Sequence, residues 1–358
     1  MTRYLLAGGG TAGHVLPLLA VADALRKRDP DAVILILGTV EGLEQRLVPG
    51  RGYELLVVGK LPFPRRPNPA ALRFPARFRQ LVDRVASMID DNEIDIVVGF
   101  GGYVSAPAYL AARRRRVPIV VHEANAKPGM ANRLGSLLTR HVGVAFRGTR
   151  LRSARFVGMP LRSEIANLDR RAQRADSVEA LGLDPRRPTL LVTGGSLGAR
   201  RLNETIAASA ALLLGAGWNI LHITGAGSQV TYPRLAGYVV LAYLDRMQLA
   251  FAAADLVVAR AGSSTVSELS ALGLPAVYVP LAIGNGEQTL NTRDAVVARA
   301  ALVVANADFT PEWIASSLLQ LMRDRAELAA MSGRAAAIGV RDGADRMVAL
   351  IDDALSGH

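Results

Sequence analysis

Short apolar runs alternate along this chain with longer segments in which apolar residues recur every three or four positions. The intervening segments, such as 17–28 and 203–214, have the spacing of helices. Alternation of this kind indicates parallel sheets joined by crossover helices, and it predicts two α/β units in tandem. The predicted strands are 4–7, 32–37, 96–99, 119–122 and 142–145, and then, after Pro188, 189–193, 219–224, 239–242, 256–259 and 276–279.

The junction between the two units is expected between residues 158–162 and residues 184–188, where glycine and proline interrupt the pattern. The last helix, about 341–358, could pack on either unit, and the pattern alone does not decide which. With 358 residues, half of them apolar, each unit is long enough to bury a core of its own.

The composition of the chain excludes several kinds of site and segment. The chain has no cysteine, which excludes disulfides, thiolate metal sites and thiol nucleophiles. No apolar run reaches the roughly 18 residues of a membrane helix, and the start lacks the layout of a signal peptide. We therefore expect a soluble or peripheral protein.

Positive charge is concentrated in the first half of the chain. Residues 1–163 hold 25 Lys and Arg against 12 Asp and Glu, whereas residues 164–358 hold 17 against 19. The surplus predicts an anionic partner for the first half, either nucleic acid or an anionic lipid surface.

Four glycine-rich turns each follow a predicted strand and precede a helix: 8–14, 99–107, 193–199 and 260–268. The first contains G-x-G-x-x-G, the dinucleotide fingerprint, but no acid ends the second strand to hold a ribose, which disfavours NAD. Backbone N–H groups at a helix start suit a phosphate or pyrophosphate, and a tight turn that only packs strand on helix is the alternative.

The third and fourth turns also carry polar side chains. Ser196 could cap its helix and donate to a phosphate oxygen, and Ser263, Ser264 and Thr265 fill the first turn of the next helix. Glu268 could accept two hydrogen bonds from a ribose, or it could merely complement the helix dipole. Taken together, the four turns predict a nucleotide on one unit and a second anionic ligand on the other.

A departing diphosphate needs positive charge, from a metal or from the protein. The single Asp-x-Asp pair, Asp29 and Asp31, lies between a helix and a strand and reads better as a solvated turn. Helix N-termini with Arg162 and Arg260 can supply the charge instead. We therefore predict no metal and no cofactor.

His14 and Glu123 are the candidates for acid–base chemistry. His14 ends the first turn, where a neutral imidazole could deprotonate an acceptor hydroxyl, although a packing or capping histidine is the plainer alternative. In the run His122-Glu-Ala-Asn, Glu123 is a competing base or an orienting group, and Asn125 could hold sugar hydroxyls. Gln288 and Asn291 offer amides suited to a hexose.

A basic and aromatic stretch lies at residues 60–80. No acid occurs between Leu55 and Val82, and a second basic run follows at 113–116. This pattern favours an anionic bilayer surface, with a solvated basic loop as the alternative. Nucleic acid is disfavoured because no binding motif is present and the prolines oppose a recognition helix. The residues of the stretch are Lys60, Phe63, Arg65, Arg66, Arg73, Phe74, Arg77, Phe78 and Arg79.

Seven ordered motifs across nearly the whole chain resemble the MurG family of N-acetylglucosamine transferases. They lie at 8–17, 101–107, 122–125, 158–162, 194–199, 260–268 and 287–291. The resemblance implies a GT-B glycosyltransferase fold, with two Rossmann-like domains facing a central cleft. Residues 1–160, with the helix at about 341–358 returning to them, would bind acceptor and membrane, and 161–340 would bind the UDP-sugar.

The resemblance also implies an activity and a location. The reaction would be an inverting transfer from UDP-N-acetylglucosamine to the muramyl 4-hydroxyl of lipid I, undecaprenyl-pyrophosphoryl-MurNAc-pentapeptide. Its products would be lipid II and UDP, made for peptidoglycan at the cytoplasmic face of the cell membrane. Alternatives are a related UDP-sugar transferase with another acceptor and a UDP-sugar epimerase.

By motif position, the resemblance assigns residues to donor, acceptor and catalysis. The implied catalytic residues are His14, as the base, and Glu123. The implied donor and substrate residues are Thr11, Ala12, Gly13, Asn125, Arg162, Ser196, Leu244, Ser263, Ser264, Thr265, Val266, Ser267, Glu268 and Gln288. The implied acceptor-diphosphate residues are Gly10, Gly101, Gly102, Tyr103 and Ser105. Ala12, Ala261 and the pair Gly286-Glu287 depart from the usual family pattern and affect only details of these contacts.

Overall fold

A computed structural model describes residues 1–61, 69–195, 199–281 and 286–357. The chain divides into two compact units. The first comprises Met1–Arg162 with Arg341–His358, and the second comprises Ser163–Val340.

In its described residues, the first unit has seven strands and five α-helices, to which the last helix of the chain is added. The strands are β1 (Arg3–Ala7), β2 (Val33–Thr39), β3 (Glu54–Val58), β4 (Ile96–Gly99), β5 (Ile119–Glu123), β6 (Val142–Val144) and β7 (Ala154–Phe156). The helices are α1 (Ala12–Arg28), α2 (Glu44–Leu47), α3 (Pro69–Asp91), α4 (Ser105–Arg115) and α5 (Met130–Leu138).

The second unit has six strands and ten α-helices within the described ranges, with a π-helical turn at Ile314–Leu318 between the last-but-two and last-but-one of them. The strands are β8 (Thr189–Thr193), β9 (Asn219–Ile223), β10 (Tyr238–Leu241), β11 (Leu256–Ala259), β12 (Ala276–Tyr278) and β13 (Ala301–Val303). The helices are α6 (Ser163–Ala166), α7 (Arg170–Ala180), α8 (Arg200–Gly215), α9 (Met247–Ala253), α10 (Ser263–Ala271), α11 (Glu287–Asn291), α12 (Arg293–Val297), α13 (Pro311–Trp313), α14 (Leu319–Arg323) and α15 (Arg325–Ile338). The final helix, α16 (Gly343–Ser356), belongs to the first unit.

Each unit contains one sheet in which every neighbouring pair of strands is parallel. The first sheet has the order β3-β2-β1-β4-β5-β6-β7, and the second has the order β10-β9-β8-β11-β12-β13. In both, the strand order reverses once, between β1 and β4 and between β8 and β11. Ligands of open parallel sheets bind at the carboxyl ends of the strands at such a switch point.

Alternate residues of β1 fill the two cores of the first unit. Tyr4 and Leu6 face α1 and α16, where Leu18 and Ile351 are fully buried. Leu5 and Ala7 face the opposite side, among residues of α3 and α4. This period of two, with apolar residues on both faces, is typical of a parallel sheet covered by helices on each side.

The observed elements confirm the two α/β units and all ten predicted strands, within one or two residues at their ends. Three further strands are short or at the sheet edge, and β7 is largely exposed, so their apolar pattern is weak. The first helix begins at Ala12 and contains Pro17, whereas the sequence placed its start at the proline.

Candidate functional site

The glycine turns lie in pairs at the two switch points, the third turn in its described residues 193–195 and 199. The turn after β1 adjoins the turn after β4, because Ala7 pairs with Gly99 at the carboxyl ends of those strands. In the second unit, Thr193 pairs with Ala259 at the ends of β8 and β11. The turns that the sequence picked out singly therefore form one candidate site in each unit.

The first pair of turns is tightly packed and needs glycine. Gly10 and Gly102 have φ angles of +88° and +82°, in the left-handed region. A Cβ built on Gly102 would lie 2.6 Å from the carbonyl oxygen of Gly9. The two turns are therefore in backbone contact, which no residue with a side chain would allow at position 102.

Ser105 holds the second turn from inside. Its Oγ accepts from the backbone N–H of Gly101 at 3.0 Å and lies 3.0 Å from the carbonyl oxygen of Ala7. The side chain is fully buried, so it shapes the turn, whereas Tyr103 is exposed. Ala12 and Gly13 occupy the first turn of α1, where backbone N–H groups have no partner within the helix.

His14 projects from the first turn of α1 towards the second glycine turn. Its Nδ1 lies 3.1 Å from the carbonyl oxygen of Gly9 and 3.4 Å from the hydroxyl of Thr11. A carbonyl oxygen only accepts, so Nδ1 carries the proton of the neutral ring. The other nitrogen, Nε2, is then the one that can take up a proton, and it lies against Gly101.

The cluster after β5 is largely buried. Glu123 accepts from the backbone N–H groups of Asn125 and Gly129, at 2.8 and 3.0 Å, and from the amide of Asn132 at 2.9 Å. Nε2 of His122 lies 3.2 Å from the carbonyl oxygen of Gly158. Burial lowers the pKa of His122 to about 4, although the bond to Gly158 acts in the opposite direction.

Sequence reasoning missed one acid of this site. Glu44, in α2, is completely buried and accepts from the backbone N–H of Gly10 at 3.0 Å and from the N–H of Thr39 at 2.9 Å. The sequence pattern predicts no acid for the end of β2, because Glu44 lies five residues beyond that strand. Its carboxylate is bonded to the first turn and to Thr39, which is not the position of a ribose-binding acid.

In the second unit, α10 begins with the serine and threonine residues of the fourth turn. Ser264 and Glu268 are four positions apart and share one face of the helix, with Thr265 beside them. Ser264 and Thr265 are partly exposed, and so are Ser267 and Glu268. Val266 and Ser263 are buried, so their side chains pack inside the unit.

The other site residues predicted in this unit differ in burial and in their hydrogen-bond partners. Oε1 of Gln288 accepts from the backbone N–H of Leu281 at 2.9 Å, and Leu244 is half-buried. The amide of Asn291 is buried and donates to the carbonyl oxygen of Ala261, so it faces the protein and not a hexose. Ser196 lies outside the described residues.

Arg260 and Arg162, the two arginines predicted to face a ligand, differ in burial. Arg260 is buried, and its guanidinium donates to the carbonyl oxygen of Val279 at 2.9 Å and to Oδ1 of Asn306 at 2.8 Å. Burial lowers its pKa. Arg260 therefore joins the segments that follow β12 and β13, which corrects the expectation that its charge faces a ligand. Arg162 is partly exposed at the end of the first unit.

Only part of the basic, aromatic stretch at 60–80 can be described, because 62–68 lie outside the described residues. On α3, the rings of Phe74 and Phe78 stack with centroids 5.6 Å apart. Arg73, Arg77 and Arg79 are exposed, and the side chain of Leu72 is 86% exposed.

The basic run at 113–116 is exposed at the end of α4. Arg114 forms an ion pair with Asp83, and Arg115 forms one with Asp90. Both acids belong to α3, so part of this charge is balanced locally.

In the described ranges, no three His, Asp or Glu side chains lie close enough together to hold a metal ion. No helix in those ranges is both long and apolar enough to cross a membrane.

Comparison with known proteins gives the family. Residues 4–144 match the glycosyltransferase family 28 N-terminal domain, and residues 189–347 match the family 28 C-terminal domain. The UDP-N-acetylglucosamine–N-acetylmuramyl-(pentapeptide) pyrophosphoryl-undecaprenol N-acetylglucosamine transferase of Leifsonia xyli subsp. xyli is 60% identical over 99% of each chain. The protein of the same name from Clavibacter sepedonicus is 58% identical over 100% of this chain and 98% of its own.

A solved structure agrees with these relatives. The crystal structure of MurG from Acinetobacter baumannii superposes with a TM-score of 0.80 at 28% identity, covering 99% of this chain and 100% of the other. The two parallel α/β units thus have the GT-B arrangement of strands and helices expected from the sequence. The chain belongs to glycosyltransferase family 28 and, within it, to the family of MurG N-acetylglucosamine transferases.

Proposed function

We propose that this enzyme transfers N-acetylglucosamine from UDP-N-acetylglucosamine to the muramyl 4-hydroxyl of lipid I, giving lipid II and UDP in peptidoglycan synthesis. The observation that carries this proposal is the 60% identity, over 99% of the chain, to the transferase of Leifsonia xyli. The paired glycine turns at both switch points supply two sites for anionic ligands, as a nucleotide donor and a diphosphate-linked acceptor require.

The second unit would bind the donor. Ser264 and Thr265, which are partly exposed, lie at the start of α10, where the helix N–H groups can donate hydrogen bonds to the diphosphate of UDP. Glu268, on the same face, would accept hydrogen bonds from the two ribose hydroxyls. Ser196, Leu244, Arg162 and Gln288 stay assigned to the donor by their motif positions.

The first unit would bind the acceptor diphosphate. Ala12 and Gly13, in the first turn of α1, offer backbone N–H groups that the helix leaves without partners. Gly102 and Tyr103 would line the same ligand from the adjoining turn. The N–H groups of Gly10 and Gly101 are already bonded within the protein, so they act by shaping the turns.

His14 would be the general base. In the transfer, the 4-hydroxyl oxygen forms a bond with C1 of the sugar, and the bond from C1 to the diphosphate oxygen breaks, with UDP leaving on the opposite face. The hydroxyl proton passes to Nε2, the nitrogen that is unprotonated when Nδ1 donates to Gly9. Glu123 accepts hydrogen bonds from Asn125, Gly129 and Asn132 and suits an orienting role for the loop at 124–129.

The first unit would also attach the enzyme peripherally to the cytoplasmic face of the cell membrane. Leu72 and the exposed arginines of α3 present apolar and positive groups together, which suits an anionic bilayer. Because Arg114 and Arg115 pair with acids of α3, the run at 113–116 contributes less than its charge suggests.

The deciding test is transfer of label from radiolabelled UDP-N-acetylglucosamine to a short-chain lipid I analogue, with EDTA present. Transfer is expected, and H14A should lose at least about 100-fold in kcat while still binding the donor. Donor binding without transfer to lipid I would favour a related transferase with another acceptor. Formation of an epimerised UDP-sugar without acceptor would favour an epimerase.

Vesicle sedimentation tests the membrane surface separately. R77E/R79E should bind vesicles with anionic lipid less tightly than the unchanged protein, by roughly 1 kcal/mol or more per arginine. R186E/R200E, which changes the charge equally at exposed positions of the second unit, is the control. Equal losses in both variants would mean that only net charge matters, and binding to nucleic acid in place of vesicles would reverse the assignment of partner.

A further inference from the structure

One peptide group links a buried acid to the proposed base. The peptide that joins Gly9 to Gly10 offers a carbonyl oxygen on one side and an N–H on the other. Its oxygen lies 3.1 Å from Nδ1 of His14, and its N–H donates to Oε2 of Glu44 at 3.0 Å. The imidazole and the carboxylate therefore hold opposite ends of the same peptide.

The surrounding chain is built to admit this carboxylate. A Cβ at Gly9 or at Gly42 would collide with the carboxylate of Glu44, and a Cβ at Gly38 would lie 2.6 Å from its Cγ. The second oxygen, Oε1, accepts from both the N–H and the hydroxyl of Thr39, at 2.9 and 2.8 Å. Three glycines and two further donors thus fix the position of one acid.

The carboxylate is held in its charged form. Burial raises the pKa of Glu44, but the hydrogen bonds from Thr39 and Gly10 outweigh burial, and the net pKa lies below the ordinary value. A charged acceptor at an amide N–H polarises the peptide and strengthens its carbonyl as an acceptor, because hydrogen bonds in a chain reinforce one another. The hydrogen bond that is strengthened is the one from Nδ1–H of His14 to the carbonyl oxygen of Gly9.

We propose that Glu44 is a positioning residue for catalysis, which acts through the Gly9–Gly10 peptide to keep the proton of His14 on Nδ1 and Nε2 free. The inference rests on the proposed role of His14 as base. Without the carboxylate, the peptide can rotate, and Nδ1 can then accept from the hydroxyl of Thr11, 3.4 Å away, with the proton on Nε2. In that form the ring cannot take a proton at Nε2.

The experiment is nitrogen NMR of histidine-labelled full-length protein, which distinguishes Nδ1–H from Nε2–H in a neutral imidazole. His14 is assigned by the signal that disappears in H14Q. The unchanged protein should show Nδ1–H, and E44Q should show a substantial share of Nε2–H. In the same E44Q protein, kcat should fall about 10- to 100-fold, with the KM for UDP-N-acetylglucosamine within about 2-fold.

T39V is the matched control, because it removes a donor from the same carboxylate but leaves the bond to Gly10. It should keep the Nδ1–H form and most of kcat. If E44Q does not fold, E44D replaces it, since it keeps the charge but is shorter by one methylene, and a smaller change of the same kind is expected.

Two results would overturn the inference. One is an Nε2–H signal for His14 in the unchanged protein, and the other is an unaltered tautomer in a folded Glu44 variant. Failure of the proposed function looks different: H14A would retain full turnover, or no transfer would occur, while the tautomer measurement still decides whether Glu44 controls His14.

Discussion

The side-chain amide of Asn132 donates one hydrogen to Oε2 of Glu123 at 2.9 Å and the other to the carbonyl oxygen of His122 at 3.0 Å. Its own oxygen accepts from the hydroxyl of Tyr109 at 2.8 Å. Every polar atom of this buried amide is therefore bonded, and the network fixes the carboxylate that holds the loop after β5. A satisfied buried network of this kind rigidifies its surroundings.

Replacing Glu123 with glutamine should destabilise the protein by about 1–3 kcal/mol. The carboxylate accepts on both oxygens, at Oε1 from Asn125 and at Oε2 from Gly129, so an amide NH₂ in either place would face an N–H donor. The free energy of unfolding, from urea titration, checks this. Glu93→Gln is the control, since Glu93 is exposed and pairs only loosely with Arg3, and its effect should stay within about 0.5 kcal/mol. A small, equal effect of both changes would contradict the assigned role.

Stability should fall as the pH is lowered from about 6.5 towards 4, in part through His122. The pKa of His122 is about 4 in the folded protein, whereas the ordinary value of 6.5 applies to the unfolded chain. Over this pH window the unfolded chain therefore binds a proton that the folded chain does not bind. This contribution to the free energy of unfolding is fully present above pH 6.5. About 2 kcal/mol of it is lost by pH 5.

Urea unfolding at pH 7.5 and pH 5.0 measures that loss. In H122Q, where the amide can still donate to Gly158, the loss between the two pH values should be smaller by about 2 kcal/mol than in the unchanged protein. His222, whose pKa burial lowers to about 3, remains in both proteins and cancels in the comparison. Equal losses in both proteins would show that His122 is not the group responsible.

The sheets and their glycine turns were predictable because their signals are local. A buried parallel strand is a continuous apolar run, and the turn that follows it needs glycine within a few residues. From these, the sequence predicted the units and the four turns that meet at the switch points. The sequence could also place His14 beside its turn, since both lie at the start of α1.

What the sequence could not supply is contact between residues far apart in the chain. Glu44 bonds to Gly10 across 34 positions, and Arg260 bonds to Asn306 across 46. An acid or arginine near a glycine turn has the same local pattern whether it faces ligand or protein. That choice is decided by tertiary packing, which explains why Arg260 was predicted as a ligand-facing cation and Glu44 was overlooked.

Gly102→Ala should impair both stability and activity. Position 102 has a φ of +82°, and a Cβ there would press on the carbonyl oxygen of Gly9, so the two turns must separate. We expect a loss of about 1–3 kcal/mol in unfolding free energy and more than about 10-fold in kcat/KM for the lipid acceptor.

Gly50→Ala is the control for this change, because a Cβ at Gly50 would meet nothing within 4 Å. It should leave unfolding and transfer nearly unchanged. Activity retained in G102A would mean that close contact between the two turns is not needed for binding the acceptor.

Arg260→Lys should destabilise the second unit without acting on the donor directly. The guanidinium donates to two acceptors on separate loops, Val279 and Asn306, and a lysine ammonium in the same buried place cannot span both. A loss of about 2–4 kcal/mol in unfolding free energy is expected, because an acceptor is left unpaired around a buried charge.

Arg186→Lys, at a highly exposed position, is the control and should change the unfolding free energy by less than about 0.5 kcal/mol. Below the melting temperature, the Kd for UDP, measured by calorimetry, should stay within about 3-fold in R260K. A 100-fold weaker Kd with unchanged stability would instead restore Arg260 as a cation that contacts the diphosphate.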